Sequence, residues 1–315
     1  MFSKSTSPDR ELSRLHYLFD NDHPDQVWAN ASELIRDMSP QYDFSRLIRI
    51  FSDVADLFYG DYPGYQKVLT PYHDLRHTMD VTMCALRIVH GMYVAGEPLS
   101  DDDITIVATS ALTHDIGYAK QVGDEEGTGA KYTKTHVNRG IQFMRGYTEE
   151  KNWPSAWMPL IETSLLCTNP ALVFSEIAFA DSHARKLGML VGTGDLVGQM
   201  ADRSYLEKLL FLYFEFKEAN MGDFKSTVDM LRRTSDFYQI TRKKLDHEFE
   251  ATYRFLEHHF RNWFGASRDY YMDSVDKNIA YLQKIIQGID DDAYLQGLKR
   301  RGIVEKAKAF EHRTR

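Results

Sequence analysis

Cysteine is nearly absent from this chain of 315 residues, with Cys84 and Cys167 its only two. So sparse a pair argues against a disulfide framework and against a thiolate-bound zinc site, and it fits a reducing compartment. Long apolar runs are missing too. No stretch is long enough to span a bilayer, and the first twenty residues carry charges throughout in place of a signal peptide's apolar centre. The sequence therefore reads as cytoplasmic, with no membrane association. Positive charge is in deficit: 38 Lys and Arg stand against 46 Asp and Glu, for a net charge of −8 and a pI near 5.8. An acidic surface repels a phosphate backbone, which argues against polymeric nucleic acid as a partner. A small phosphorylated substrate stays open, because a bound cation dominates its local field whatever the net charge. Alternating β-strand patterns with Asn-Gly turns are lacking, as are internal repeats and low-complexity linkers.

What is present is helical periodicity. Apolar residues make up 43% of the chain and aromatics 13%, enough for a large, ring-rich core. Apolar positions recur at three- and four-residue spacing over 25–38, 43–59, 74–94, 101–115, 132–146 and 154–168. The pattern continues over 173–190, 195–219, 225–262, 270–288 and 291–310. Gly and Pro punctuate it at Tyr62-Pro63-Gly64, Gly96-Glu97-Pro98, Gly123 to Gly129, Asn169-Pro170 and Gly192-Thr193-Gly194. These features predict an all-α fold forming one domain over 1–315. Helices in 1–60 flank a site-bearing core in 61–220, and helices in 221–315 complete the pocket. The long amphipathic stretch 225–262 suits either a core-facing helix or a homodimer contact.

Two short segments concentrate the chemistry. His73 and His77 stand four residues apart at a helix start, one turn apart on one face. His114 and Asp115 end the apolar run IVATSALTHDIG, where a break at Gly117 frees both side chains. Polar groups delivered to the edge of a core need partners, and a metal ion satisfies both. Imidazole with carboxylate suits zinc, manganese or iron, and the carboxylate can bridge to a harder ion such as magnesium.

These residues resemble the HD-domain metal-dependent phosphohydrolases, and among them the catalytic domain of cyclic-nucleotide phosphodiesterases. YHDLRHTMDV looks like the phosphodiesterase pattern Tyr-His-Asn-x-x-His-x-x-Asp-Val, LTHDIGY like the His-Asp core, and GTGDLVGQMADRSYLEKL like the helix with the remote aspartate. The likeness runs from about 72 to 210. It implies that His77, His114, Asp115 and Asp195 hold a first divalent ion, that Asp115 reaches a second, and that His73 protonates the leaving oxygen. Hydroxide held between ions roughly 3.5–4 Å apart would attack phosphorus. Asp80 is expected to orient the ring of His73 or His77, and Gln199 to touch bound water or substrate. Asp195 competes with a helix N-cap role and with Asp181 and Asp202, the latter expected to pair with Arg203. Gly194 and Gly198 favour Asp195 by permitting close approach. His136, opening a helix after the Gly-rich stretch, is a ligand for a second ion or for phosphate, or else an exposed imidazole at a helix start. Lys131, Lys134 and Arg139 are either phosphate neutralisers or a solvated face.

The pattern also departs from phosphodiesterases. Position 74 is Asp where they have Asn, and Ile116-Gly117-Tyr118-Ala119-Lys120 stands where a second His precedes Pro-Gly. Only Gln239 offers itself as a purine clamp. The expected function is hydrolysis of a phosphoester, a phosphodiester before a monoester, of a small metabolite or nucleotide, with two ions drawn from zinc, manganese, iron and magnesium. Two alternatives remain: a di-iron oxygenase of the same fold, which the lack of histidine between 140 and 182 disfavours, and a non-catalytic nucleotide sensor. His16, His23, His90, His183, His247, His258, His259 and His312 lack partners at chemical spacing and read as structural or surface residues.

Overall fold

Residues 77–92 are buried without interruption, a run sustained only by a helix with neighbours on every side. That helix is the axis of an all-α fold. The computed structural model describes residues 21–287, 291–298 and 300–314. In chain order its helices are α1 (Pro24–Met38), α2 (Ser45–Tyr59), α3 (Leu75–Val94), α4 (Asp101–Thr113), α5 (His136–Glu150), α6 (Trp157–Leu166) and α7 (Ser182–Ala201). There follow α8 (Tyr205–Glu218), α9 (Thr227–Lys243), α10 (Phe255–Phe264), α11 (Tyr270–Ile286), α12 (Asp291–Gly297) and α13 (Ile303–Thr314). Among the described residues there is no strand, only an isolated bridge between Tyr65 and Gln121. No helix among them is long and apolar enough to cross a membrane. One hydrophobic cluster gathers side chains from α1 through α13, as expected of a single helical domain.

The axial α3 packs most extensively on α7, with α10, α4 and α1 around the rest of its circumference. The seam with α7 is close because α7 presents glycine to it. A Cβ on Gly194 would lie 2.8 Å from Ala85 Cβ, and one on Gly198 would lie 3.1 Å from Asp80 O. Local signals set the helix starts. Asp74 caps α3 by accepting from His77 N, Ser100 and Asp103 form a capping box at α4, and Asp181 caps α7 by accepting from Ala184 N.

Several boundaries differ from the periodicity, among them the stretch expected from 173, where the helix begins only at 182. The Gly192-Thr193-Gly194 stretch is no break: α7 runs through it from 182 to 201, and the chain turns instead at 202–204. Its glycines serve packing between helices, which overrides their weak helix propensity. The stretch 225–262 is not one helix. After α9 comes a π-helical turn, Lys244–Glu248, then Glu250 and Ala251 at φ 51° and 55°, a 3-10 turn and α10. This reversal drops the fully buried Phe249 into the notch at Gly192, where an added Cβ would stand 2.6 Å from the ring. The stretch 291–310 divides at Arg301 and Gly302, φ 57° and 61°.

Candidate metal centre

Four side chains from three segments converge beneath the start of α3. His77 comes from its first turn, His114 and Asp115 from the end of α4, and Asp195 from the middle of α7. All four are buried. His77 Nε2 and His114 Nε2 lie 3.2 Å apart. Asp115 Oδ2 is 3.3 and 3.1 Å from those two nitrogens, and Asp195 Oδ1 is 3.7 and 3.8 Å from them. Ligands about 2.1 Å from one ion sit about 3.0–3.4 Å from each other in octahedral or tetrahedral geometry. The edges among His77, His114 and Asp115 fall in that range and could hold an ion, while those of Asp195 are longer.

The hydrogen bonding of the cluster tests the fit independently. His114 donates from Nδ1 to Ala111 O at 2.8 Å, which turns the Nε2 lone pair inward. Asp115 Oδ2 is buried and accepts no hydrogen bond. A carboxylate oxygen in that position lacks a partner that a cation would supply. Electrostatics agree. Burial disfavours charge on His114, yet Asp115 and Asp195 outweigh it and raise its pKa to about 9. Burial likewise works against ionised Asp115, but His114 and His73 hold its pKa well below the usual carboxylate range. Burial pushes Asp195 upward.

Asp195 lies inside α7, so its N-cap role is excluded. Gln199, one turn on, donates to Asp195 Oδ1 at 3.2 Å and accepts from the Tyr72 hydroxyl at 2.8 Å, which steadies the carboxylate. Asp202 pairs with Lys208 at 2.8 Å and Arg76 at 3.5 Å, in place of the pairing expected with Arg203.

His73 stands at the rim, its side chain 14% exposed. Asp80 does not orient it, nor does it orient His77. Asp80 instead accepts from Asn21 Nδ2 at 2.7 Å and lies 3.5 Å from Arg76 Nε, and burial with the nearby charge of Asp202 raises its pKa to about 7. The carboxylate beside His73 is Glu215 of α8, 2.5 Å from Nδ1 and accepting from Tyr72 N at 2.6 Å as well. Burial opposes a proton on His73, but Glu215 and Asp115 outweigh it and raise the pKa. Glu215 escaped sequence reasoning. Its signal was a lone carboxylate within the apolar run LLFLYFEF.

His136 is buried, contrary to its reading as an exposed imidazole. It donates from Nδ1 to Thr133 O at 2.7 Å, and its Nε2 stands 3.6 Å from Asp115 Oδ1. Burial lowers its pKa to about 4. The neighbouring cations are engaged elsewhere: Lys131 with Asp124, Lys134 with Asn220 O, and Arg139 with the carbonyls of Gly117 and Ala119. Glu162 pairs with Arg145, Cys167 packs against Gly188, and Gln239 is exposed on α9. His90 and His259 do find partners. Their Nδ1 atoms lie 3.1 Å apart, and His90 Nε2 is 3.1 Å from Asp37. His16 and the side chain of His312 lie outside the described residues.

No curated protein matches the chain. A family model does, over residues 67–247, a span that holds every group of the centre from His73 to Glu215. That is more than half of the 315 residues, and the chain belongs to the Npun_R2479-like family.

Proposed function

We propose that the chain is a metal-dependent phosphohydrolase of the HD type, cleaving a small phosphodiester, a nucleotide among the candidates. The observation that carries this reading is the convergence of His77, His114, Asp115 and Asp195 around an oxygen without a hydrogen bond, with a carboxylate-backed imidazole at the rim. Divalent ions held there would polarise the phosphoryl oxygens and lower the pKa of water.

The chain's own residues supply the rest. Asp115 presents Oδ2 to the first position and Oδ1 toward His136, which suits it to bridge two ions. The Nδ1 proton of His136 is committed to Thr133 O, so Nε2 carries a lone pair and cannot donate to phosphate. Of the two roles open to His136, cation ligand is the one this supports. Glu215 accepts from His73 Nδ1 and stabilises the imidazolium, leaving Nε2–H to be given to the departing oxygen. The nearby lysines and Arg139 are committed to protein partners, so the substrate's charge falls to the ions and to His73.

Metal content of protein purified without chelator tests the proposal, alongside His114→Ala and Asp115→Ala and with hydrolysis of bis-p-nitrophenyl phosphate followed in each. The expected result is stoichiometric metal in the wild type, lost in both variants, with hydrolysis falling in step. A wild type that holds no metal and gains no activity from manganese, zinc or magnesium overturns it.

A further inference from the structure

The turn that follows the His-Asp pair, Ile116–Tyr118, carries the chain's departure from the phosphodiesterase pattern. Two of its residues do separate work. Gly117 lets the start of α5 approach: a Cβ there would fall 1.8 Å from His136 O. Arg139 then binds the turn to α5 through the carbonyls of Gly117 and Ala119, each at 2.7 Å. This leaves Tyr118 fully buried against two histidines beside the candidate centre.

Its phenol ring stacks on both. The centroids of His73 and Tyr118 are 4.5 Å apart with planes inclined by 16°, and those of Tyr118 and His136 are 4.5 Å apart at 14°. The two imidazoles are inclined to each other by 30°. The two smaller tilts account for the whole of the larger one, so the phenol plane bisects the imidazole planes. Each imidazole also makes an Nδ1 hydrogen bond, to Glu215 or to Thr133 O, and His73 meets Tyr72 and His77 edge-on. A single hydrogen bond fixes one ring atom and leaves the ring free to swing about it. A stacked neighbour removes that freedom.

We infer that Tyr118 is a positioning residue: its ring fixes the planes of His73 and His136 together, aiming His136 Nε2 at the outer oxygen of Asp115 and His73 Nε2 into the centre. The inference rests on the proposed metal-dependent reading. On this account the ring matters and the hydroxyl does not, and the four ligands of the first position are left alone.

Calorimetric titration of metal-free protein with Mn²⁺ tests it in the wild type, Tyr118→Phe and Tyr118→Leu, with a thermal melt of each. Wild type and Tyr118→Phe are expected to take up two ions. Tyr118→Leu is expected to keep the tighter event and weaken the second by roughly ten- to a hundredfold, as loss of an outer support does. Hydrolysis by that variant should fall in kcat more than in KM. Equal weakening of both events, or a Tyr118→Leu protein that binds like the wild type, overturns the inference while leaving the metal centre standing. A wild type that binds no ion overturns both. Should Tyr118→Leu fail to fold, the wild type still decides. The carbon-bound ring protons of His73 and His136 should show nuclear Overhauser contacts to the Tyr118 ring, and their absence from the folded protein refutes the stack.

Discussion

Gly194 offers the sharpest test of how packing builds the centre. Replacing it with Ala puts a Cβ 2.8 Å from Ala85 Cβ, while ordinary contact begins at 3.4 Å. The α3–α7 seam must therefore open locally by about 0.6 Å, since its neighbour is a short side chain on a buried helix with no rotamer to yield. Overpacking of this kind costs about 1–3 kcal/mol, and Ala regains about 0.5–1 kcal/mol of helix propensity. A net loss of about 0–2.5 kcal/mol follows. The next residue is Asp195, and metal sites tolerate displacements of about 0.2 Å, so ion affinity should fall by roughly tenfold or more. Gly146 is the internal control. It lies in α5 with nothing within 4 Å of an added Cβ, so Gly146→Ala should stabilise by about 0.5–1 kcal/mol with ion affinity unchanged. Urea unfolding and Mn²⁺ calorimetry read both quantities. If Gly194→Ala gains stability as Gly146→Ala does and binds the ion equally well, the close seam does not position Asp195 and the reasoning fails.

Two further predictions concern protons. Glu215→Gln keeps an acceptor for Tyr72 N but removes the charge that raises the pKa of His73. If His73 is the proton donor, as proposed, the fall of rate with rising pH should move to lower pH, with a roughly tenfold or greater loss at pH 8; an unmoved pH–rate profile counts against the pairing. Asp269 caps α11 by accepting from Tyr271 N and Met272 N, and burial raises its pKa from 3.8 to about 7. The folded state thus holds this proton more tightly than the unfolded one, a stabilisation complete below about pH 4 and lost as pH climbs to 7. Asp269→Asn stays neutral and can still cap, so it should be more stable than the wild type at pH 8, with the gap closing toward pH 4; a pH-independent difference in urea midpoints would refute this.

Much of the architecture was legible because helices declare themselves locally. The starts and ends of α1, α2 and α3 fall within a residue or two of the apolar periodicity. Legibility failed where a residue answered to a distant partner. Gly192 and Gly194 carry the local signature of a turn, but their neighbours are Phe249 and Ala85 on other elements. Glu250 and Ala251 take left-handed backbone that neither residue type advertises. The candidate centre divides in the same way. His73 with His77, and His114 with Asp115, could be recognised because one helical turn or one peptide bond joins them. Asp195 is implied by the resemblance and favoured over Asp181 and Asp202 by its flanking glycines, whereas Glu215 is separated from His73 by 142 residues and has no motif of its own.

The mistake over Asp80 shows what decides which carboxylate serves the site. Proximity along the chain favoured Asp80, but a buried acid goes where unsatisfied donors are. Asp80 faces Arg76 and Asn21. The donors near the site lie in irregular segments, whose backbone N–H groups have no ladder to join. Helix α8 meets three such segments with three acids. Glu207 accepts from Arg300 N, Glu215 from Tyr72 N, and Glu218 from Thr128 N and Lys131 N. The loop bearing His73 and the Gly-rich loop ahead of His136 are thereby tied to one rigid element. A helix that looks in sequence like plain aromatic core is what holds the loop of His73 and the approach to His136 in register.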